Sequence, residues 1–329
     1  MTIHVRQSIS VNGHTSFWSN VISCVPQGSV ISPCLFLIYI NDLSSSITNI
    51  TRLFADDTKA CIAYDNEEEC TSLQDDLEAL EQWSDHWQLR FHPKKCKVMH
   101  LGKQEEVFEY KMHEKGKEVT LTSVDEEKDL GVILDPQLEY KKHIATTVGK
   151  ANSLSYLINR NFSHLTTKAF CTIYKGLIRP VLEYASPVWT PHTKQDIDRI
   201  EGVQRRITKK IKPLRKKTYS NRIIELGLPS LQYRRERADM LQVYKILHGI
   251  DDINPEVFFT QGTNHQTRGH SHKLYKNRCK TAKRAGTFSF RVINNWNSLP
   301  EKVANANTLN SFKNGLNNAW KNKPSKFND

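Results

Sequence analysis

Two adjacent carboxylates, Asp56 and Asp57, stand between mostly apolar runs, Ile50 to Phe54 before them and Ala60 to Tyr64 after. Two unpaired carboxylates about 4 Å apart repel by roughly 4 kcal/mol at an effective dielectric of about 20. Such a pair favours binding a cation, or holding one proton at a raised pKa. A hard divalent ion such as Mg²⁺ takes oxygen ligands of this kind, typically one or two carboxylates with phosphates and water. The same dipeptide also suits a plain polar turn, so its surroundings have to decide between the two readings.

Those surroundings predict a β-hairpin with Asp56-Asp57 at its tip. Upstream, Ile9 to Val11 and Ser16 to Val21 are strand-like, with the turn dipeptide Asn12-Gly13 between them. A loop at Val25-Pro26-Gln27-Gly28-Ser29 leads into an apolar helix expected over about Pro33 to Leu43. Downstream, Leu73, Leu77, Leu80, Trp83 and Trp87 recur at spacings of three and four, which predicts one amphipathic helix over Glu67 to Trp87. Strands at Leu89 to Phe91 and Cys96 to Leu101, joined by a turn at His92-Pro93-Lys94, are expected next, and a further strand at Leu130 to Leu134. From there the pattern is helical, near 140–160, 166–184, 194–211, 231–247, 288–297 and 309–320. Pro180, Pro187, Pro191, Pro213, Pro229 and Pro255 read as helix stops or linkers. The fold class is therefore α+β: an antiparallel sheet with helices on one face, then a mostly helical half.

Across the 329 residues, 47 are Lys or Arg and 35 are Asp or Glu, a net charge of +12. The excess is clustered. Arg205, Arg206, Lys209, Lys210, Lys212, Arg215, Lys216 and Lys217 form one group. Arg234, Arg235 and Arg237 form a second, and Arg278, Lys280, Lys283 and Arg284 a third. Such patches suit a phosphate backbone, and equally a solvated basic face. No apolar run approaches the roughly 18 residues of a membrane span, nor is there a secretory core near Met1, so an intracellular chain in nucleus or cytoplasm is expected. The seven cysteines form no C-x-x-C pair and read as reduced thiols. His265, His270 and His272 lie beside Arg268 and Lys273, which favours a basic loop over a metal site.

Taken together, Val25-Pro26-Gln27-Gly28-Ser29, the helix segment Phe36 to Leu43 and Phe54-Ala55-Asp56-Asp57 resemble the palm of a reverse transcriptase from a non-LTR, jockey-like retrotransposon. Phe91-His92-Pro93-Lys94-Lys95-Cys96 resembles that family's Asn-Pro-x-Lys segment, with His92 where Asn is usual. Leu130-Gly131-Val132, Ile178 to Tyr184, Ile200 to Arg206 and Trp296 to Pro300 resemble later parts of the same open reading frames. Cys24 stands where Gly commonly precedes the loop.

The resemblance implies RNA-directed DNA polymerase activity by two-metal nucleotidyl transfer with Mg²⁺ or Mn²⁺. Asp56 and Asp57 would be metal ligands, Lys95 would neutralise the leaving pyrophosphate, and Pro26, Gln27, Gly28, Ser29 and Phe54 would line nucleotide and template. RNA template, DNA primer and deoxynucleoside triphosphates are the implied partners. The expected division is a partial palm over 1–105, a connection over 106–139, a helical thumb-like region over 140–250 and a basic C-terminal region over 251–329. No Asp or Glu occurs before Asp42. The family's first metal-binding Asp and its fingers are thus expected upstream of this chain, which would be a truncated and inactive copy. The alternative is a non-catalytic nucleic-acid-binding remnant acting through its basic helical half.

Overall fold

The computed structural model of the chain describes residues 5–21, 28, 30–64, 66–102, 107–162, 164–262 and 270–327. It divides into two compact units, Met1–Val124 and Asp125–Asp329.

In the first unit, β1 (Val5–Gln7) pairs antiparallel with β4 (Ser19–Val21), and β2 (Ser10–Val11) with β3 (His14–Thr15). Asn12 and Gly13 join β2 to β3 with φ of +51° and +85°. Both values lie in the region that a two-residue hairpin turn of right-handed twist demands. Helix α1 (Ser32–Tyr39) has Pro33 in its first turn and stops short of Leu43, where a 3₁₀ turn over Leu43–Ser46 takes over. The hairpin of β5 (Ile50–Phe54) and β6 (Asp57–Cys61) follows. Helix α2 (Glu67–Trp87) has the expected bounds. Asn66 caps it by accepting from the Glu69 N–H at 2.9 Å, and three glutamates in its first turn complement the helix dipole.

Leu89 to Phe91 is not a strand. The chain turns through a 3₁₀ segment, Pro93–Lys95, into the short β7 (Lys97–Val98). The β8 (Lys111–Glu114) and β9 (Lys117–Thr120) hairpin comes next, and β10 (Thr122–Ser123) then pairs parallel to β7. Among the described residues every strand pairs in twos, so α+β holds while one continuous sheet is not seen. The core explains this. Ile40, Leu43, Leu80 and Trp83 pack with Leu53 of the hairpin, and Tyr110, Met112 and Leu121 form a second cluster. The hairpin's other face, Ile50, Arg52 and Phe54, remains exposed.

The second unit begins with β11 (Glu127–Asp129) and β12 (Val132–Leu134), which pair antiparallel. Leu130 and Gly131, expected within a strand, are instead the turn, at φ +43° and +88°. Helix α3 (Lys141–Asn161) leads to α4 (Thr167–Ile173), a π-helical turn at Tyr174–Ile178, and α5 (Arg179–Glu183). Pro180 has no N–H to offer the preceding turn, and the widened ladder just before it keeps the chain helical. Then come α6 (Ser186–Trp189), α7 (Lys194–Thr208), α8 (Tyr219–Leu226) and α9 (Leu231–Leu247). Thr193, Thr218 and Ser230 cap the last three through their side-chain oxygens. The short β13 (Thr260–Gln261) and β14 (Leu274–Tyr275) pair antiparallel, and α10 (Ala282–Gly286), α11 (Phe288–Asn297), α12 (Glu301–Ala304) and α13 (Leu309–Ala319) complete the unit. Pro187, Pro213 and Pro255 sit in the first turns of helical segments, where a missing N–H costs nothing, whereas Pro180 lies inside the continuous run from α4 to α5. The first three open helical segments and Pro180 interrupts none, so none of the four is a helix stop. Two cores form, one around Ile144, Tyr174, Trp189 and Ile223, the other around Met240, Tyr244, Trp296 and Phe312.

Three histidines in this unit make its stability sensitive to acid. The Ile133 N–H donates to His143 Nδ1 at 3.2 Å, while His270 Nε2 and His248 Nδ1 donate to the carbonyls of Trp296 and Tyr244. Burial, the leading cause in each, holds all three below the usual histidine range. A group whose folded pKa is depressed contributes stability that is present above its unfolded value and lost as pH falls through the folded one. The melting temperature is therefore expected to fall as pH drops from about 7 to about 5, across the unfolded histidine pKa of roughly 6.5. His113, raised by its exposed pairing with Glu81 in the first unit, has the opposite sign but is solvent-screened. A melting temperature unchanged over that interval would show that burial does not depress these imidazoles.

Candidate active site and nucleic-acid interface

The β5–β6 register places Phe54 opposite Asp57, leaving Ala55-Asp56 as a two-residue turn. Ala55 takes φ +52°, a left-handed conformation that costs a residue with a Cβ roughly 1–2 kcal/mol. Asp56 thus sits in the turn itself and Asp57 at the first position of the returning strand. Both are exposed, as is Phe54 beside them at 62% of its surface.

In residue type the pair suits a hard divalent cation. In number it falls short, because no group of three or more His, Cys, Asp or Glu that could hold a metal exists among the described residues. Two other carboxylates of this unit have structural duties. Asp42 accepts the Trp83 indole N–H at 3.1 Å. Asp76, almost wholly buried on α2, accepts from the Thr48 and Asn49 N–H groups at 2.8 and 3.0 Å and from the Asn49 side chain at 2.8 Å. Asp76 therefore fixes the backbone that enters β5 and so positions the hairpin. The sequence predicted only an amphipathic helix here, because no spacing separates a buried acid from a solvated one.

Of the glycine loop, Pro26, Gln27 and Ser29 lie outside the described residues. Gly28 is exposed with φ +85°, and a Cβ there would meet nothing within 4 Å. Its glycine requirement is conformational rather than steric. Lys95 ends the 3₁₀ turn with its side chain exposed, while neighbouring Lys94 pairs with Glu114 at 2.9 Å. Cys24 and His265 also lie outside the described residues. His270 is buried against Trp296 rather than grouped for a metal.

The three basic clusters have different fates. In the first, Arg206, Lys209, Lys210, Lys212, Arg215, Lys216 and Lys217 are exposed along the end of α7 and the loop after it, and Arg205 is half-buried. Arg206 donates to Asn152 at 3.1 Å, and Lys217 pairs with Glu225. Buried Arg222 organises this segment, donating to the Lys217 and Arg205 carbonyls at 2.7 and 3.1 Å and to the Thr208 hydroxyl at 3.2 Å. Arg205 and Arg222 both lie over the Tyr219 ring, 5.3 and 5.6 Å from its centre.

The second cluster is not a surface footprint. Arg234 forms a bidentate pair with Glu183 at 2.5 and 2.6 Å, and Arg237 donates to Asn317 at 3.0 Å. Arg235 is buried, with both terminal guanidinium nitrogens lacking hydrogen-bond partners, and burial depresses its pKa. The third cluster, Arg278, Lys280, Lys283 and Arg284, is exposed. No helix among the described residues is long and apolar enough to cross a membrane.

The sequence resemblance pointed to RNA-templated polymerases, and comparison with known proteins finds the same kind of protein. Residues 1–157 match the family model of reverse transcriptase (RNA-dependent DNA polymerase). The chain is 26% identical over 221 residues to the probable RNA-directed DNA polymerase from transposon X-element of Drosophila melanogaster, covering 63% of this chain and 23% of that protein. It is 27% identical over 219 residues to the RNA-directed DNA polymerase from mobile element jockey of the same species, covering 62% and 23%. The jockey polymerase of Drosophila funebris is 28% identical over 228 residues, with the same coverage of 62% and 23%. No solved structure matches. Over residues 1–157 the chain matches reverse transcriptases, and it is similar to the polymerases of non-LTR retrotransposons; it spans about a quarter of the length of the curated relatives it matches, 23% in each of these three.

Proposed function

We propose that these 329 residues are the part of a reverse transcriptase that carries the Asp56-Asp57 hairpin and a basic helical region gripping template and primer, and that by themselves they do not polymerise. The observation that carries this reading is the hairpin, with Phe54 opposite Asp57 and Asp56 in a two-residue turn. In the complete enzyme Mg²⁺ or Mn²⁺ would stabilise the attacking and leaving oxygens, and Asp56 and Asp57 supply only part of what holds it. Pro26, Gln27, Gly28, Ser29 and Phe54 line the deoxynucleoside triphosphate and template, and Lys95 faces the leaving pyrophosphate. In this reading residues 1–105 form the palm portion, 106–139 the connection, 140–250 the thumb-like region and 251–329 the basic C-terminal region. RNA template and DNA primer are the partners.

The second reading, a nucleic-acid-binding remnant without catalysis, is favoured by the exposed lysines and arginines after α7, and both readings share one test. Binding of a labelled RNA–DNA hybrid is expected to weaken steeply as salt is raised. Changing Lys209, Lys210, Lys216 and Lys217 to glutamine is expected to reduce the log–log salt slope by about 3, at roughly 0.7–0.9 per phosphate contact. A slope unaltered by the four changes would remove the interface. Primer extension on an RNA template with Mg²⁺ or Mn²⁺ separates the chemistry: none is expected, and extension abolished by Asp56→Asn would establish a complete polymerase site.

A further inference from the structure

The second unit carries a cleft of about 190 Å³ between the 3₁₀ turn at Pro255–Val257, the β13–β14 hairpin and α10–α11. It is smaller than the roughly 300–1,000 Å³ of a drug-sized ligand site, which limits it to about one ring system rather than a whole nucleotide. Its walls include Phe258, Phe290, Tyr275, Asn277 and Arg284. Phe258 and Tyr275 expose 37% and 57% of their surface, although aromatic side chains of this size are ordinarily covered. Arg284 lies over the Phe290 ring, 4.8 Å from its centre, which holds a cationic plane at the cleft.

The charge around the cleft selects its occupant. Lys276, Arg278, Lys280 and Lys283 are exposed on the segment that leaves β14 and enters α10. Glu256 is itself a lining residue, and its carboxylate disfavours a phosphate inside the cleft. A ring inside and an anionic chain outside is the chemistry of single-stranded nucleic acid, in which an unstacked base presents a π-face and hydrogen-bonding edges while its phosphates run over lysines and arginines. A duplex keeps its bases stacked and cannot offer one.

We propose that this cleft is a second nucleic-acid site, distinct from the cluster after α7, that takes one splayed base of a single strand, with Tyr275 as the stacking platform and the 276–284 segment tracking the backbone. The site rests on the reading of the chain as nucleic-acid-binding and adds to it a preference for single strands. The test uses the full chain with 12-nucleotide RNA and DNA single strands and a hybrid duplex of equal length. Tyr275→Ala is expected to weaken both single strands about tenfold, the ordinary cost of one lost base stack, and to leave the duplex unchanged. Tyr275→Trp, which keeps a π-face, is expected to restore them. A loss confined to RNA or to DNA would support the cleft and name the strand it prefers. Equal loss on single strands and duplex, or no loss, would overturn it. The four-lysine variant keeps the two proposals apart: if it alone leaves duplex binding intact, the interface after α7 fails while the cleft stands.

Discussion

Replacing Glu201 by alanine is expected to destabilise the second unit by about 3–5 kcal/mol, because several buried donors would lose their acceptor at about 1–3 kcal/mol each. Glu201 is 5% exposed. Its carboxylate accepts hydrogen bonds from the Leu231 N–H at 3.0 Å, from the Gln232 N–H at 3.3 Å and from the Tyr219 hydroxyl. Leu231 and Gln232 open α9, where helix N–H groups have no partner within the helix and a negative charge is favoured. One turn along α7, Gln204 donates to the Tyr219 oxygen at 2.9 Å and to the Pro229 carbonyl at 3.1 Å, and accepts from the Tyr174 hydroxyl. Burial first, and Glu201 second, push the Tyr219 phenol far above its ordinary range, so it stays a donor. The network joins α7, α8, α9 and the π-helical turn beneath the basic cluster. Hydrogen exchange of α7 and α9 amides in the intact chain measures the change. Glu201→Gln keeps an acceptor and should cost less. A loss below about 1 kcal/mol for the alanine variant would mean that water reaches these N–H groups in place of the carboxylate.

The pair of Asp239 and Arg291 gives the second large effect. Asp239 is 4% exposed and receives two hydrogen bonds from the Arg291 guanidinium, at 2.9 and 2.8 Å. Arg291 also donates to the Pro187 carbonyl at 2.7 Å and the Gly286 carbonyl at 3.1 Å, so one side chain ties α6, α9 and α10 to α11. Burial raises the Asp239 pKa despite the neighbouring arginine, which marks a carboxylate expensive to keep ionised. A raised folded pKa means this group's own linkage favours the fold at acid pH and withdraws that support as pH rises. Asp239→Ala should cost about 3–5 kcal/mol by stranding the arginine, whereas Asp239→Leu with Arg291→Met should recover most of that, since a well-packed apolar pair often replaces a buried ion pair without loss. A thermal-melt cycle of the single and double variants reads the coupling. Additive losses would show that Arg291 acts through its carbonyl partners and not through Asp239. Because α10 bears Lys283 and Arg284, single-strand binding should decline in the Asp239→Ala variant as that rim loosens.

Local patterns were legible where neighbours in sequence decide the outcome. The bounds of α2, α9 and α11 follow from apolar spacing, and the presence of the hairpins at Asn12-Gly13 and Asp56-Asp57 from turn chemistry between apolar runs. The second turn, however, is Ala55-Asp56, one residue before the expected Asp56-Asp57 tip. The strand expected over Ser16 to Val21 is replaced by His14–Thr15 paired to Ser10–Val11 and Ser19–Val21 paired to Val5–Gln7. Leu130-Gly131 was misread because an apolar run with a glycine fits a strand as well as a turn. Only pairing with Glu127–Asp129 sets the register. The short helices α6, α8, α10 and α12 went unseen, since four to eight residues hold too little periodicity to register.

The likeness to reverse transcriptases, the adjacency of Asp56 and Asp57, and the excess of positive charge were all legible in the order of residues alone, because each is a property of side-chain type and short spacing. Which charges face water was decided only by the tertiary structure. Arg234 and Lys209 look alike in the sequence, yet one is locked to Glu183, 51 residues away, and the other stands in solvent. The duties of Asp76, Glu201 and Asp239 were likewise hidden. Burial is the sum of contacts made by distant parts of the chain, and an acid becomes a cap or an ion-pair partner only when folding removes water and brings a donor to it.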